Sequence, residues 1–102
     1  MGSRISLQTK LELLMESKHV YYQPPASLIM EYPCIRYSRS EIDSKKADNI
    51  NYINTTGYSL VVIDKNPDSE IIGKILDTFP MASYDRHYVS DNLNHDVIKL
   101  YF

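Results

Sequence analysis

The sequence predicts a single α+β domain spanning residues 1–102, with two helices on one face of a mainly antiparallel (mixed) four-stranded sheet, in the order α-β-β-α-β-β. Three observations predict this class. One β-forming segment is apolar on both faces, two segments carry apolar residues at helical spacing, and the C-terminal segment alternates like a hairpin. Pairs of strands separated by one helix are typical of α+β folds.

The first helix is expected at residues 6–18, with Ser6 as its N-cap. Apolar residues recur every three or four positions and form one stripe, which consists of Leu7, Leu11, Leu14 and Met15. Such a stripe indicates a helix that docks on a sheet by one side.

The second helix is expected at residues 67–79, with Asn66 as its cap and Pro67 in the first helical position. Its apolar stripe consists of Ile71, Ile72, Ile75, Leu76 and Phe79. Pro80 ends it. Gly73 lies within this helix, where glycine costs about 1 kcal/mol relative to alanine, and such a glycine often permits close packing of a neighbour.

Four strands are expected, at residues 34–38, 56–65, 81–90 and 95–102. The segment at 56–65 is the central strand because it is apolar on both faces. The last two strands form a hairpin with its turn at residues 91–94. Residues 20–25, which end in two prolines, predict a stiff extended link. The polar stretch at 38–54 predicts a long loop that is mobile in the isolated subunit and ordered on assembly.

The composition limits the partners. A formal net charge of −2 argues against non-specific binding to nucleic acid or anionic membranes, and no specific nucleic-acid binding is expected. No stretch approaches the ~18 apolar residues of a membrane span. The nine tyrosines fit a half-buried sheet and equally fit a protein–protein contact surface.

The residue types that carry chemistry are few and scattered, so no catalytic, cofactor or metal site is predicted. The three histidines and one cysteine lack the spacing of a zinc site. Cys34 follows a proline at a strand start, which is a core-like setting. Asp85 and His87 would share one strand face, where they could serve proton transfer or, as we favour, an interface salt bridge.

A series of short motifs resembles a known family. The motifs are YYQPP (21–25), YPCI (32–35), ADN (47–49), VIDKNPDSE (62–70), YDRHY (84–88) and DNLNH (91–95). In their order and spacing they are similar to small head–tail morphogenesis proteins of tailed bacteriophages, in the tail terminator or tail completion group.

The resemblance implies a non-enzymatic virion protein, made in the host bacterial cytoplasm. Such a subunit forms a ring, commonly a hexamer, that caps the tail tube and contacts the tail tube protein and the head-completion proteins of the neck. A head-completion stopper or adaptor is the main alternative, and a peptide-binding adaptor or a small cysteine- or histidine-dependent hydrolase are the others.

A closed ring needs two different contact patches on each subunit. One is expected where stiff backbone, aromatic rings and positive charge coincide, and the other near the final hairpin, where acidic residues cluster. The candidate interface residues are Tyr21, Tyr22, Gln23, Pro24, Pro25, Arg36 and Arg39 for the first patch, and Asp85, Asp91, Asn92 and Asp96 for the second.

Overall fold

A computed structural model describes residues 4–47 and 50–102, with side chains described for residues 4–40 and 56–102. The elements in chain order are α1 (Arg4–Met15), β1 (Val20–Tyr22), β2 (Cys34–Ala47), β3 (Ile50–Asp64), α2 (Ile71–Thr78), β4 (Ala82–Ser90) and β5 (Leu93–Tyr101). The expected α+β class is confirmed.

The sheet has five strands in the spatial order β1-β2-β3-β5-β4. Among the strands of the described residues, only β1 and β2 pair in parallel, and the other three pairs are antiparallel. The prediction of four strands is therefore wrong. The segment predicted to be a stiff link begins with β1, a three-residue edge strand. An edge strand needs hydrogen bonds on one side only, so β1 can stop just before the prolines without leaving buried groups unpaired.

The prediction of a long loop at residues 38–54 is wrong. The backbone of β2 and β3 continues through this region as a two-stranded ribbon, paired from Glu41 opposite Gly57 to Ala47 opposite Ile50. Ladder hydrogen bonds form between backbones and do not require apolar side chains, so a polar strand pair has no pattern that marks it in the sequence. Residues 48–49 of the predicted loop lie outside the described residues.

Helix α1 ends at Met15, earlier than expected, because Glu16 adopts a left-handed conformation with φ of 56°. The Glu16 N–H donates to the Leu13 carbonyl (3.2 Å) and the Ser17 N–H donates to the Glu12 carbonyl (3.1 Å). These two bonds form a Schellman motif, which satisfies the last carbonyls of a helix. Ser6 lies inside α1 and is not its cap.

Helix α2 begins at Ile71, later than expected, because Asn66 caps a turn instead. The Asn66 side chain accepts a hydrogen bond from the Asp68 N–H (2.9 Å), and the Ser69 hydroxyl accepts one from the Ile71 N–H (3.3 Å). Asn and Ser side chains commonly stabilise such turns at the expense of a helical start. Pro67 therefore sits in the turn and not in the helix.

Two apolar clusters lie on opposite faces of the sheet. Both helices pack on one face, and the buried residues of this helix-side core are Leu7, Leu11, Val20, Ile35, Tyr37, Tyr58, Leu60, Val62, Ile75, Phe79, Ile98 and Leu100. The opposite face has a smaller cluster of Cys34, Val61, Ile63 and Val97. No helix packs against this second face within the described residues, and we call it the open face.

Ile75→Ala and Leu76→Ala form a matched pair on α2. Ile75 is 0% exposed, whereas Leu76 is 36% exposed. We expect Ile75→Ala to lower the free energy of unfolding by about 2–5 kcal/mol, because it leaves a cavity in the core. Leu76→Ala should cost about 1 kcal/mol or less. Urea denaturation measures both, and equal losses would place the core elsewhere.

Gly73→Ala should stabilise the protein. A Cβ built at Gly73 meets nothing within 4 Å, so the close packing expected from this glycine is absent. Alanine would lower the conformational entropy of the unfolded chain and would cause no clash in the folded one. We therefore expect the free energy of unfolding to rise by about 0.5–1 kcal/mol. Thermal and urea denaturation should both show it, and a loss of stability would contradict the open surroundings.

Candidate functional site

The residues of the first predicted patch come together at one edge of the sheet. Parallel pairing places Tyr21 beside Arg36 and Tyr22 beside Tyr37. The chain then turns at Gln23, which has a φ of 43°. Its N–H donates to the Tyr37 carbonyl (2.8 Å), and its side-chain oxygen accepts from the Arg39 N–H (3.5 Å). These bonds fix the end of β1 against β2.

A groove of ≈ 520 Å³ opens where β1 ends, and its lining is mostly polar. It is bounded by Gln23, Pro24, Arg36, Tyr37, Ser38, Arg39, Ser59 and Val61. Arg36 and Arg39 are both exposed, so the groove suits a negatively charged group. Pro25 follows on the exposed surface beside it.

Tyr22 is directed away from this groove. It packs against the helix-side core, with its ring centroid 4.9 Å from that of Tyr37. The Arg4 guanidinium lies 4.5 Å from the Tyr22 ring centroid on the same side. Tyr22 therefore contributes to the packing of α1 on the sheet and not to the groove.

The second predicted patch lies at the opposite edge, on the hairpin of β4 and β5. Asp91 and Asn92 alone form its turn, with φ of 53° and 62°. Positive φ at both central residues is the turn geometry that matches the twist of antiparallel strands. The turn is shorter than the predicted 91–94, and both of its residues are exposed.

Asp96 is not available as an interface charge. It is only 9% exposed, and its carboxylate accepts a hydrogen bond from the Tyr84 hydroxyl (2.7 Å). This bond is also the main reason why the pKa of Tyr84 is raised above its ordinary value. Asp96 lies on the helix side of β5, two residues before the core residue Ile98, so its role is internal.

The predicted Asp85–His87 pair does not form, because the register of β4 shifts at Asp85. Tyr84 pairs with Ile98 and Arg86 with Val97, which leaves Asp85 as the extra residue of a bulge. The Asp85 carboxylate lies 3.4 Å from the Arg86 guanidinium. The His87 ring contacts the Asn94 side chain instead (3.1 Å). Asp85 and Asp91 remain as surface acids of the second patch.

Cys34 lies in a setting that suppresses thiol chemistry. It is fully buried, and burial raises its pKa from 9.0 to about 11 against the opposing effect of Arg36. Cys34 pairs with Ile63, and Ile63 pairs with His95, so a whole strand separates the thiol from this imidazole. Two strand spacings amount to about 10 Å, too far for proton transfer. His87 lies on the other face.

Among the side chains described, those of residues 4–40 and 56–102, no three His, Cys, Asp or Glu form a group that could hold a metal ion. His19 is engaged with the Glu31 carboxylate (2.9 Å). Neither helix of the described chain is long and apolar enough to cross a membrane.

The open face carries Arg36 from the first predicted patch and two basic residues, Arg86 and Lys99, that were not among the candidate residues. One row across the sheet contains Arg36, Val61, Val97 and Arg86 in register, and the next contains Ser38, Ser59, Lys99 and Ser83. Residues paired across strands share a face. Arg86 was missed because the bulge at Asp85 decides which β4 side chains reach this face, and no residue pattern marks that bulge. Lys99 lies on the regular strand β5, and only the cross-strand register brings it beside the two arginines.

Stability should fall between pH 9 and pH 11 because of Cys34. In this window the unfolded chain loses the thiol proton while the folded chain keeps it, so rising pH favours unfolding. Below pH 9 the thiol is protonated in both states and contributes no pH dependence. Urea denaturation of the wild type and of Cys34→Ala across this window isolates the effect. Identical pH slopes would contradict it.

Comparison of the chain with protein-family models, curated proteins and solved structures finds no match. The similarity to phage head–tail proteins therefore rests on the motif series in the sequence.

Proposed function

We propose that the chain is a non-enzymatic virion subunit that forms a ring at the junction of a bacteriophage head and tail, as a tail terminator or tail completion protein. The motif series supports this role. The buried thiol of Cys34 and its separation from both histidines of the final hairpin favour a structural role over the hydrolase alternative.

The observation that carries the proposal is the presence of two unlike edges on opposite sides of one sheet. At one edge lies β1, only three residues long, beside the groove with Gln23 and Arg39. At the other lies β4, which pairs with β5 alone within the described residues. A ring closes through heterologous contacts, in which one patch of a subunit meets a different patch of the next.

The exposed surface of β4 fits a contact between subunits. Eight of its nine residues, Ser83 to Ser90, are exposed. They include Tyr84, Tyr88 and Val89, which are large apolar or aromatic side chains. Tyrosine is enriched at protein interfaces because its ring is apolar and its hydroxyl can bond to a partner. An unpaired strand edge also offers backbone groups to a neighbouring subunit.

The groove and the hairpin turn have opposite charge. Arg36 and Arg39 line the groove, whereas Asp91 projects from the hairpin turn at the other edge. Complementary charges across an interface set register and association rate more than affinity. Each subunit would thus place its acidic turn against the basic groove of the next, and six such contacts, as the resemblance implies, would close the ring.

A head-completion stopper or adaptor of the neck would use the same two edges. The two roles differ in the proteins that the ring contacts, which are the tail tube protein for a terminator and the portal-side neck proteins for a stopper. Electron microscopy of virions distinguishes them by the position of the ring.

Reversal of charge at either patch should weaken assembly. We expect Arg39→Glu or Asp91→Arg alone to shift the oligomer toward monomer, with a roughly tenfold higher dissociation constant, and the double variant to recover much of the loss. Native mass spectrometry and analytical ultracentrifugation measure this. Lys74→Glu, the same charge change on α2, is the matched control.

Two outcomes would count against the ring. One is a wild-type protein that stays monomeric at high concentration and is missing from virions. The other is a Lys74→Glu variant that dissociates as readily as Arg39→Glu, since the effect would then come from net charge.

A further inference from the structure

The open face differs in charge from the rest of the protein. The chain as a whole has a formal net charge of −2. Arg36 and Lys99 are exposed on this face, and the Arg86 side chain is 66% exposed. The strand register places all three on the same side of the sheet. Cations are therefore concentrated where no helix covers the strands.

The acidic residues nearest to this face are directed elsewhere or already paired. Asp64 and Asp96 lie on the helix side of β3 and β5. Asp85 contacts Arg86 at the edge (3.4 Å) and offsets part of its charge, and Glu31 contacts His19 (2.9 Å). Among residues whose side chains are described, no carboxylate occupies a position on the open face in β2 to β5. The face thus presents positive charge and hydroxyl groups.

The spacing of the cations suits an extended anionic chain better than one small anion. Arg36 and Arg86 lie in one row, three strand spacings apart, which is about 14 Å. Lys99 lies in the adjacent row between them, beside Ser59 and Ser83. Cations separated in this way can each meet a different phosphate, and the serine hydroxyls can donate to phosphate oxygens.

An aromatic platform lies beside the cations. The ring of Tyr88 stacks on that of His95, with centroids 4.7 Å apart and planes at 15°. Tyr88 remains 37% exposed, and it lies two residues from Arg86 on the same side of β4. Proteins bind single-stranded nucleic acids with exposed aromatic rings and cations on an uncovered sheet. The aromatic rings suit any sequence, because every base has a face that can stack.

We propose that the open face binds the backbone of a single-stranded nucleic acid. Arg36, Arg86 and Lys99 meet its phosphates, and Tyr88 receives a base. An acidic protein would need exposed apolar side chains at the centre of its contact. The centre of this face holds serines, and Val61 and Val97 are only 9% and 5% exposed. Arg36 also lines the groove at the β1 edge, and Tyr88 also belongs to the exposed surface of β4. Arg39 pairs with Tyr58 on the helix side, so a substitution of Arg39 can separate nucleic-acid binding from ring assembly.

Net charge alone did not indicate this site, because a ligand meets one surface and not the average of the chain. The total also counts acids of the turns outside the strands, such as Glu16, Asp68, Glu70 and Asp91.

Fluorescence anisotropy with a labelled oligothymidylate of about 15 nucleotides, at about 50 mM salt, tests the proposal. We expect binding by the wild type. Arg36→Gln, Arg86→Gln and Lys99→Gln should each weaken it and each reduce the slope of log affinity against log salt by about 0.7. Tyr88→Leu should weaken binding at least about fivefold with little change in that slope.

Lys74→Gln is the matched control, since it removes one exposed positive charge from the helix side and should leave binding unchanged. Arg39→Glu separates this site from ring assembly, because a variant that no longer oligomerises should still bind the oligonucleotide. Circular dichroism confirms that each variant is folded.

Three results would overturn the proposal. The first is no binding by the wild type at low salt. The second is equal weakening by Lys74→Gln and Lys99→Gln. The third is displacement of the oligonucleotide by polyglutamate of equal charge as readily as by unlabelled oligothymidylate, which would identify the face as a contact for acidic protein.

Discussion

Burial of β3 on both faces between Gly57 and Asp64 is the constraint on which the other elements depend. In this stretch β3 pairs with β2 on one side and β5 on the other. Leu60 and Val62 contribute to the helix-side core, and Val61 and Ile63 to the cluster on the open face. A strand that is apolar on both faces needs other residues packed against each face, and here the two faces are packed to different extents. Two helices bury one side, while the other is only partly closed by Tyr21, Met30 and Leu93.

That unequal packing leaves the edges and the open face of the sheet accessible. The helix side is locked by polar contacts as well as by apolar packing. The Tyr37 hydroxyl donates to the Gln8 side chain (2.6 Å), which in turn donates to the Val20 carbonyl (2.9 Å). These bonds join α1 to the first two strands and hold the helix in place.

The bulge at Asp85 has the largest effect on the candidate sites. A shift of one residue exchanges the two faces of a strand for every residue beyond it. Before the bulge, Tyr84 lies on the helix side and binds Asp96. After it, Arg86 and Tyr88 lie on the open face, and His87 lies opposite Asp96 on the helix side. A regular strand would have placed Asp85 and His87 together and Arg86 elsewhere.

Local patterns in the sequence were enough for the α+β class, both helix stripes, the central strand and the final hairpin, because periodicity and turn residues are local properties. Tertiary structure alone decided the five-stranded order, the ribbon made by the polar halves of β2 and β3, and the ends of the helices at Met15 and Ile71. It also brought Tyr21 and Gln23 beside Arg36 and Arg39, removed Asp96 from the surface, and gathered Arg36, Arg86 and Lys99 on one face. The helix ends are set by the turns at Glu16 and Asn66. The other features depend on which backbone groups pair across the sheet, and backbone hydrogen bonds do not require a particular side-chain pattern.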